Sequence, residues 1–341
     1  MNTLYFRTRG GYSHGWGHII RLNDFAQYYL RSYPSTQICF IFEGNDGVRE
    51  YYKNTDYQVI ELPEDISVSE ENFILSQHIN EQEDLIIMEM LESTYERQVM
   101  LKEYFNHLVI FDDLLDHRYC ADMVFCGQHL PGYGNSEISH SDSQFFCGPE
   151  YFLNRQEFEK YRYSERSFNP AIKKILVSLG GGYYDIAYFK IAEALKDLPN
   201  LEIDFIMGFD TLGKIKEEIQ SILPNSNFYS KVNNISDFYW NCDLAIIGAG
   251  YNKLEAAFTQ TPALMIAVQW HQIPLGQTFE QKNNMPFLGY MSYLSPKDIQ
   301  DQLTKLSTSQ ARIDLVDEYK HYFDGKGFER VLSTIQPLIS V

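Results

Sequence analysis

The chain has 341 residues, a formal net charge of −18 and a hydrophobic fraction of 44%, enough for one or two domains with a sizeable core. The acidic balance argues against nucleic acid as a partner, since phosphate backbones demand clustered Lys and Arg, and against docking on an anionic membrane surface. No stretch approaches the ~18 consecutive apolar residues of a membrane span, so no stable membrane insertion is expected.

The chain opens on Leu4-Tyr5-Phe6, which reads as a buried strand without the apolar core of a signal peptide. A helix pattern begins near His18, with Ile19, Leu22, Ala26 and Tyr29 at helical spacing. Further buried strands are expected at Ile38–Phe42, Val59-Ile60, Leu85–Met88, Leu108–Phe111 and Met123–Phe125. The alternation pauses between about 150 and 173, in a charged and aromatic segment ending in Asn169-Pro170, which reads as an interdomain crossing. It restarts with strands at Ile175–Leu179, Ile203–Met207, Leu244–Ile247 and Ala263–Ala267, and a helical pattern runs from Gly327 to Ile339. Alternating strands and helices indicate parallel sheets wrapped by helices. The five cysteines (Cys39, Cys120, Cys126, Cys147 and Cys242) match no zinc spacing and read as buried free thiols of a reducing compartment. A cytoplasmic protein is expected.

Four loops that follow strands carry residue types suited to a ligand. In the first, Arg9 to Arg21, Gly15 and Gly17 allow close backbone approach. His18 stands at a helix N-terminus, where negative charge is favoured and where an imidazole can act as general base near neutral pH. The alternative is a His that only caps the helix. His14 is a second candidate in the same loop, and Arg21, one turn further along the helix, has a weaker claim to the chemistry. In the second, Gly180-Gly181-Gly182 can cradle a diphosphate, although no Gly-Lys-Ser/Thr follows as in a Walker loop, and a tight turn without a ligand is equally consistent. In the third, Gly248-Ala249-Gly250-Tyr251-Asn252-Lys253-Leu254-Glu255 places Glu255 a turn inside a helix, where its carboxylate can accept both hydroxyls of a ribose or simply favour the helix dipole. In the fourth, Gln269-Trp270-His271-Gln272 puts polar side chains at a strand's carboxyl end. The pair Asp112-Asp113 reads as a turn or helix cap rather than a metal site.

Taken together these segments resemble the UDP-sugar hydrolases of the pseudaminic acid pathway, the PseG type with its SpsG-like relatives. The resemblance rests on Phe6-Arg7 with Gly15-Trp16-Gly17-His18-Ile19-Ile20-Arg21. It continues through Ile110–Leu114 with Ala121-Asp122, Cys147–Phe158, Ile175–Gly182, Asp243–Glu255 and Asp324–Gly327. The family is similar in fold to MurG-type glycosyltransferases, which implies a GT-B architecture: two Rossmann-like α/β domains facing a central cleft. The implied domains are 1–155 (catalytic base, sugar or acceptor side), 156–325 (nucleotide binding), and a C-terminal helix at 326–341 that crosses back to the first.

The resemblance implies that His18 is the catalytic base, with Gly15 and Gly17 in its loop and Arg21 beside it. Gly181 and Gly182 would face the nucleotide diphosphate. Gly250, Tyr251, Asn252 and Glu255 would hold the nucleoside, Glu255 on the ribose. His271 and Gln272 would stand where the family has an Asn-Gln pair. The chain departs from the family pattern in three places. Arg9 stands in place of an Asp and Gly11 in place of a Ser; His271 replaces the Asn; and Glu89-Met90-Leu91 stands where the family has Asp-x-Tyr. These departures fall on the sugar side.

The expected function is processing of a small-molecule nucleotide-sugar, with UDP the implied nucleotide, by water that His18 activates. Neither a cofactor nor a metal is called for. A glycosyltransferase would use the same base on a sugar or protein acceptor, and a non-catalytic nucleotide-sugar binder is a third reading.

Overall fold

The structure, a computed structural model, describes residues 3–11, 15–128, 141–161, 163–198, 200–230, 232 and 234–339. The candidate His14 lies outside the described residues. The chain divides into two compact units, Met1–Arg155 with Gly325–Val341, and Gln156–Asp324.

The first unit runs β1 (Thr3–Arg9), α1 (Gly17–Ser32), β2 (Gln37–Glu43), α2 (Asp46–Lys53), β3 (Gln58–Leu62), α3 (Val68–His78), β4 (Glu83–Glu89), α4 (Tyr95–Tyr104), β5 (Phe105–Phe111), β6 (Met123–Cys126) and β7 (Gln144–Cys147). Its sheet has the order β3-β2-β1-β4-β5-β6-β7, and every pairing is parallel. A sheet buried on both faces needs apolar side chains in both directions, and β1 supplies them. Leu4 and Phe6 pack with Ile19, Leu22, Phe25, Ala26 and Tyr29 of α1, while Tyr5 faces Leu75 of α3 and Leu101 of α4. The helix at Gly327–Ile335 joins the α1 face through Val331 and Ile335, and Phe328 lies over Phe25 and Tyr28, with ring centroids 6.1 and 5.1 Å away. Gly327 lets the start of this helix lie against the Phe152 backbone, since a Cβ there would lie 1.9 Å from the Phe152 carbonyl oxygen.

The second unit runs β8 (Lys174–Ser178), α5 (Asp185–Leu195), β9 (Glu202–Ile206), α6 (Phe209–Ile222), β10 (Ser226–Tyr229), α7 (Ile235–Asn241), β11 (Leu244–Gly248), α8 (Asn252–Phe258), β12 (Ala263–Ala267), α9 (Gln272–Asn283), β13 (Phe287–Tyr290), α10 (Pro296–Lys305) and α11 (Ser309–Asp317), after which Gly327–Ile335 is α12. Its sheet, also parallel throughout, has the order β10-β9-β8-β11-β12-β13. The segment expected to cross between domains forms short 3-10 turns at Pro149–Tyr151 and Gln156–Tyr161. Beyond them, Arg166 donates to the carbonyls of Tyr239 and Thr259, both at 3.1 Å, and Asn169 donates to Asp243 at 2.7 Å. These bonds fasten the segment to the second unit.

Every expected strand is present, and three were missed: β7, β10 and β13. All three are edge strands. Two expectations need correction. Val59 is 46% exposed, because β3 is also an edge and turns that side chain outward. Cys39, Cys126 and Cys242 are buried, but Cys120 is half-buried and Cys147, on edge strand β7, is exposed. Burial pushes the Cys39 thiol up to about 12 and the Cys242 thiol to about 11, so neither is poised for thiolate chemistry.

Candidate active site

In an open parallel sheet, ligands bind beyond the carboxyl ends of the strands where the strand order reverses. In the first unit that point lies between β1 and β4, which pair with Thr8 opposite Glu89. The loop after β1 begins with Gly10, where a Cβ would press on Ile19 at 2.3 Å, and Gly11, whose φ of +121° favours glycine. The Gly11 N–H donates to the Gly15 carbonyl at 2.9 Å, and Gly15 itself has φ +75°. Helix α1 then starts at Gly17; its cap residue Trp16 makes no side-chain cap bond, and its first turn holds no acidic residue. By contrast, α2 is capped by Asn45 and α3 by a reciprocal Ser67–Glu70 box.

His18 leaves this loop with its side chain 12% exposed. Its Nδ1 lies 3.0 Å from Oε1 of Glu89, the last residue of β4, which is buried. A carboxylate accepts and does not donate, so Nδ1 carries the proton and Nε2 is left with the lone pair. Arg21 Nε donates to the same Glu89 oxygen at 2.5 Å, and its NH2 lies 3.3 Å from Asp113 Oδ2 and 3.4 Å from His18 Nδ1. With the proton on Nδ1, this last approach is an electrostatic contact and not a hydrogen bond. Arg21, given the weaker claim to the chemistry, thus shares the Glu89 carboxylate with His18. One turn separates it from His18 on the same helix face.

Behind this cluster lies a second charge network. Arg7, fully buried, meets Glu71 at 2.7 Å and Glu43 at 3.1 Å, and Arg97 meets Glu71 at 2.8 Å. Burial pushes the Glu71 carboxyl up, but Arg7 and Arg97 outweigh it and hold the group below the usual carboxylate range. Arg9, which departs from the family's Asp, is held by Glu43 and Glu92 at 3.0 Å each and by Asp65. The reversed charge thus has its own acidic surroundings. Asp112 behaves as the cap it was read to be, accepting from the N–H groups of Leu114 at 2.7 Å and Leu115 at 3.0 Å. Burial raises its carboxyl above the ordinary value, with those two N–H groups and the Tyr119 hydroxyl opposing the shift.

In the second unit the strand order reverses between β8 and β11, and both strands run into glycines. Gly180 has φ +104°. A Cβ on Gly208 would lie 2.2 Å from the Gly181 carbonyl oxygen, and one on Gly248 would lie 2.7 Å from that of Leu179. These glycines let three strand-end loops approach backbone to backbone. Thr211 fixes the cradle by donating to the Gly182 carbonyl at 2.9 Å. Around Gly250, Lys253 is buried and donates to the carbonyls of Ala249 at 3.0 Å and Gly250 at 2.9 Å. Asn252 donates to Ser178 Oγ at 3.3 Å and the Tyr239 hydroxyl at 3.0 Å, tying the loop to β8. Tyr251 occupies the cap position of α8 and Glu255 is buried in its first turn. Gln272 accepts from the Val268 N–H at 3.0 Å and would lie 3.3 Å from a Cβ on Gly250, so two of the expected residues meet here. His271 occupies the cap position of α9, which has no acidic residue in its first turn.

The sequence singles out the strand-end loops and His18 as candidates, but not the company His18 keeps. Glu89 was noted only as a departure from the family's Asp, and Asp113 only as half of a cap. The signal was present in one form: both are acids at or just past the carboxyl end of strands flanking or next to the switch point. Among the described residues no group of three or more His, Cys, Asp and Glu could hold a metal ion, and no helix is long and apolar enough to cross a membrane.

No protein-family model matches the chain. It is 24% identical over 339 residues, 96% of each chain, to the spore coat polysaccharide biosynthesis protein SpsG of Bacillus subtilis (strain 168). The resemblance read from its motifs therefore extends to nearly the whole chain. Among solved structures it is similar to MurG of Acinetobacter baumannii, with a TM-score of 0.70 at 12% identity, covering 99% of this chain and 100% of that one. It is also similar to the MnaA of S. aureus determined with UDP, with a TM-score of 0.66 at 14% identity, covering 99% and 98%. A third similar structure is CalG4, the calicheamicin glycosyltransferase, with a TM-score of 0.64 at 11% identity, covering 99% and 98%. The fold is GT-B.

Proposed function

We propose that the chain is a nucleotide-sugar enzyme of surface-polysaccharide biosynthesis that hydrolyses the bond between a sugar and UDP. The observation that carries this reading is the pairing of His18 Nδ1 with buried Glu89 at 3.0 Å, which leaves Nε2 as an oriented base at an uncapped helix N-terminus. In the proposed reaction His18 Nε2 takes a proton from water as the water oxygen bonds to the anomeric carbon. The bond from that carbon to the phosphate oxygen breaks, and UDP leaves with the electron pair. Imidazolium formed at His18 is stabilised by Glu89, as a triad acid stabilises its His. The loops after β8 and β11 supply backbone N–H groups to the diphosphate as its charge grows, and Glu255 accepts the ribose hydroxyls. The chain's similarity to a spore coat polysaccharide biosynthesis protein and to an MnaA solved with UDP supports the nucleotide-sugar part.

A second reading, transfer of the sugar to an acceptor hydroxyl with the same base, is favoured by the likeness to CalG4, a glycosyltransferase. The test is incubation of the protein with UDP-, GDP- and CMP-sugars without an acceptor, followed by phosphorus NMR. Release of UDP from one donor, lost in His18→Ala, is the expected result. Binding without release would favour transfer, and no binding to any donor would refute both readings.

A further inference from the structure

Beyond β12 the chain exposes a group of aromatic rings that no core requires. Trp270 is 60% exposed, and Tyr293 is 78% exposed. Tyr290, the last residue of β13, stacks on Trp270 with ring centroids 4.1 Å apart and planes 23° apart. Tyr293 stands edge-on to Trp270 at 6.4 Å and tilted to Tyr290 at 6.1 Å. Single exposed apolar residues are ordinary on a protein surface; here two exposed rings and the half-buried Tyr290 form one contiguous aromatic group.

The group is held rigidly. Met291 N–H donates to the Ala267 carbonyl at 2.9 Å and Tyr293 N–H to that of Tyr290 at 2.9 Å. Lys190 of α5 donates to the carbonyls of Met291 at 3.0 Å and Ser292 at 2.8 Å. Trp270 also lies between two anchored residues. Gln269 donates to the Tyr184 hydroxyl, next to the Gly180–Gly182 loop, at 3.3 Å, and Gln272 is bonded to the backbone at Val268. The platform therefore continues the edge of the second unit's glycine loops.

We infer that Trp270, backed by Tyr290, is the platform for the sugar ring of the nucleotide-sugar, an inference that rests on the function proposed above. Trp270 has one face covered by Tyr290, which leaves the other to a flat apolar surface. It is flanked in sequence by an amide on one side and an imidazole on the other. A pyranose matches both features, since it has a C–H face and a rim of hydroxyls. A nucleobase has the face without that rim, and the loop of Glu255, one strand inward after β11, is assigned to the nucleoside. Trp270 is then a specificity-determining residue that acts on the sugar and not on UDP.

Calorimetric titration of wild type, Trp270→Ala and Trp270→Phe with UDP, UDP-glucose, UDP-galactose, UDP-N-acetylglucosamine and UDP-N-acetylgalactosamine tests this. Trp270→Ala should weaken the UDP-sugar that wild type binds best by about tenfold, the equivalent of one stacked ring. It should leave the Kd for UDP within about twofold, and Trp270→Phe should recover most of the loss. The residue is exposed, so an unchanged Tm is expected. Equal weakening of UDP would assign the ring to the base and overturn the inference, as would unchanged binding of every UDP-sugar. If wild type binds neither UDP nor any UDP-sugar, the functional reading fails and this inference with it.

Discussion

Replacing Glu89 with Gln tests the proposed chemistry at its most specific point. The amide keeps an oxygen near His18 Nδ1 and removes the charge. At the observed 3.0 Å, a full charge on each partner is worth about 5–6 kcal/mol at an effective dielectric of ~20. The Arg21 guanidinium, 3.4 Å from the same nitrogen, opposes this with about 5 kcal/mol. In the intact cluster the two contributions are of similar size and opposite sign. Without Glu89 the repulsion from Arg21 stands unopposed, so the imidazolium that forms in the reaction is disfavoured. We expect Glu89→Gln to lower kcat by about 10²–10³-fold, within the range of a general-base contribution. Arg21→Met removes the opposing charge. The double variant should recover part of the single variant's loss, because the groups act on one another. The assay is UDP release across pH 5–9 for the four proteins. A Glu89→Gln enzyme that turns over like wild type while His18→Ala is inactive would refute this account of the dyad.

Two further outcomes follow from the packing. Gly208→Ala places a methyl group 2.2 Å from the Gly181 carbonyl oxygen, a backbone atom that cannot swing aside. It should cost about 1–3 kcal/mol by overpacking and weaken UDP binding, measured by thermal unfolding and calorimetry; a variant with unchanged Tm and UDP affinity would show that the loops do not meet as described. Glu71→Gln should destabilise the protein by about 3–5 kcal/mol near pH 7, since Arg7 and Arg97 lose their buried partner. The folded carboxyl sits below its unfolded value, so its stabilisation is full above the ordinary carboxylate range and is lost as pH falls through the folded value. The Tm gap between wild type and Glu71→Gln should therefore narrow in acid; a gap that widened would refute the sign.

How far the sequence could be read depended on where each element sits in its sheet. Central strands such as β1, β5 and β11 are continuous apolar runs because both faces are covered, and their register of alternation was plain. The three missed strands, Gln144–Cys147, Ser226–Tyr229 and Phe287–Tyr290, are four residues each, lie at sheet edges and are only partly buried. Partial burial leaves no apolar run to detect. The site divides in the same way. Gly180 and His18 announce themselves by local spacing, because loop, strand and helix are contiguous in sequence. Glu89 is 71 residues from His18, and only the parallel crossover from β1 to β4 brings them together. Strand-end acids are visible in a sequence, but which of them meets a given His is a property of strand order.

The glycines of the two units also answer different physical demands, and this bears on which of them concern a ligand. Gly180 has a positive φ, while Gly208 and Gly248 leave room for a neighbouring backbone. The fold itself accounts for these, whatever binds nearby. Gly17 is different: its φ is not in the left-handed region, and a Cβ there would meet nothing within 4 Å. Folding would do better with alanine, by about 0.5–1 kcal/mol in a helical position. Gly213 within α6 is equally unconstrained, so open space alone assigns no function. What distinguishes Gly17 is its place at the uncapped start of α1, directly before His18.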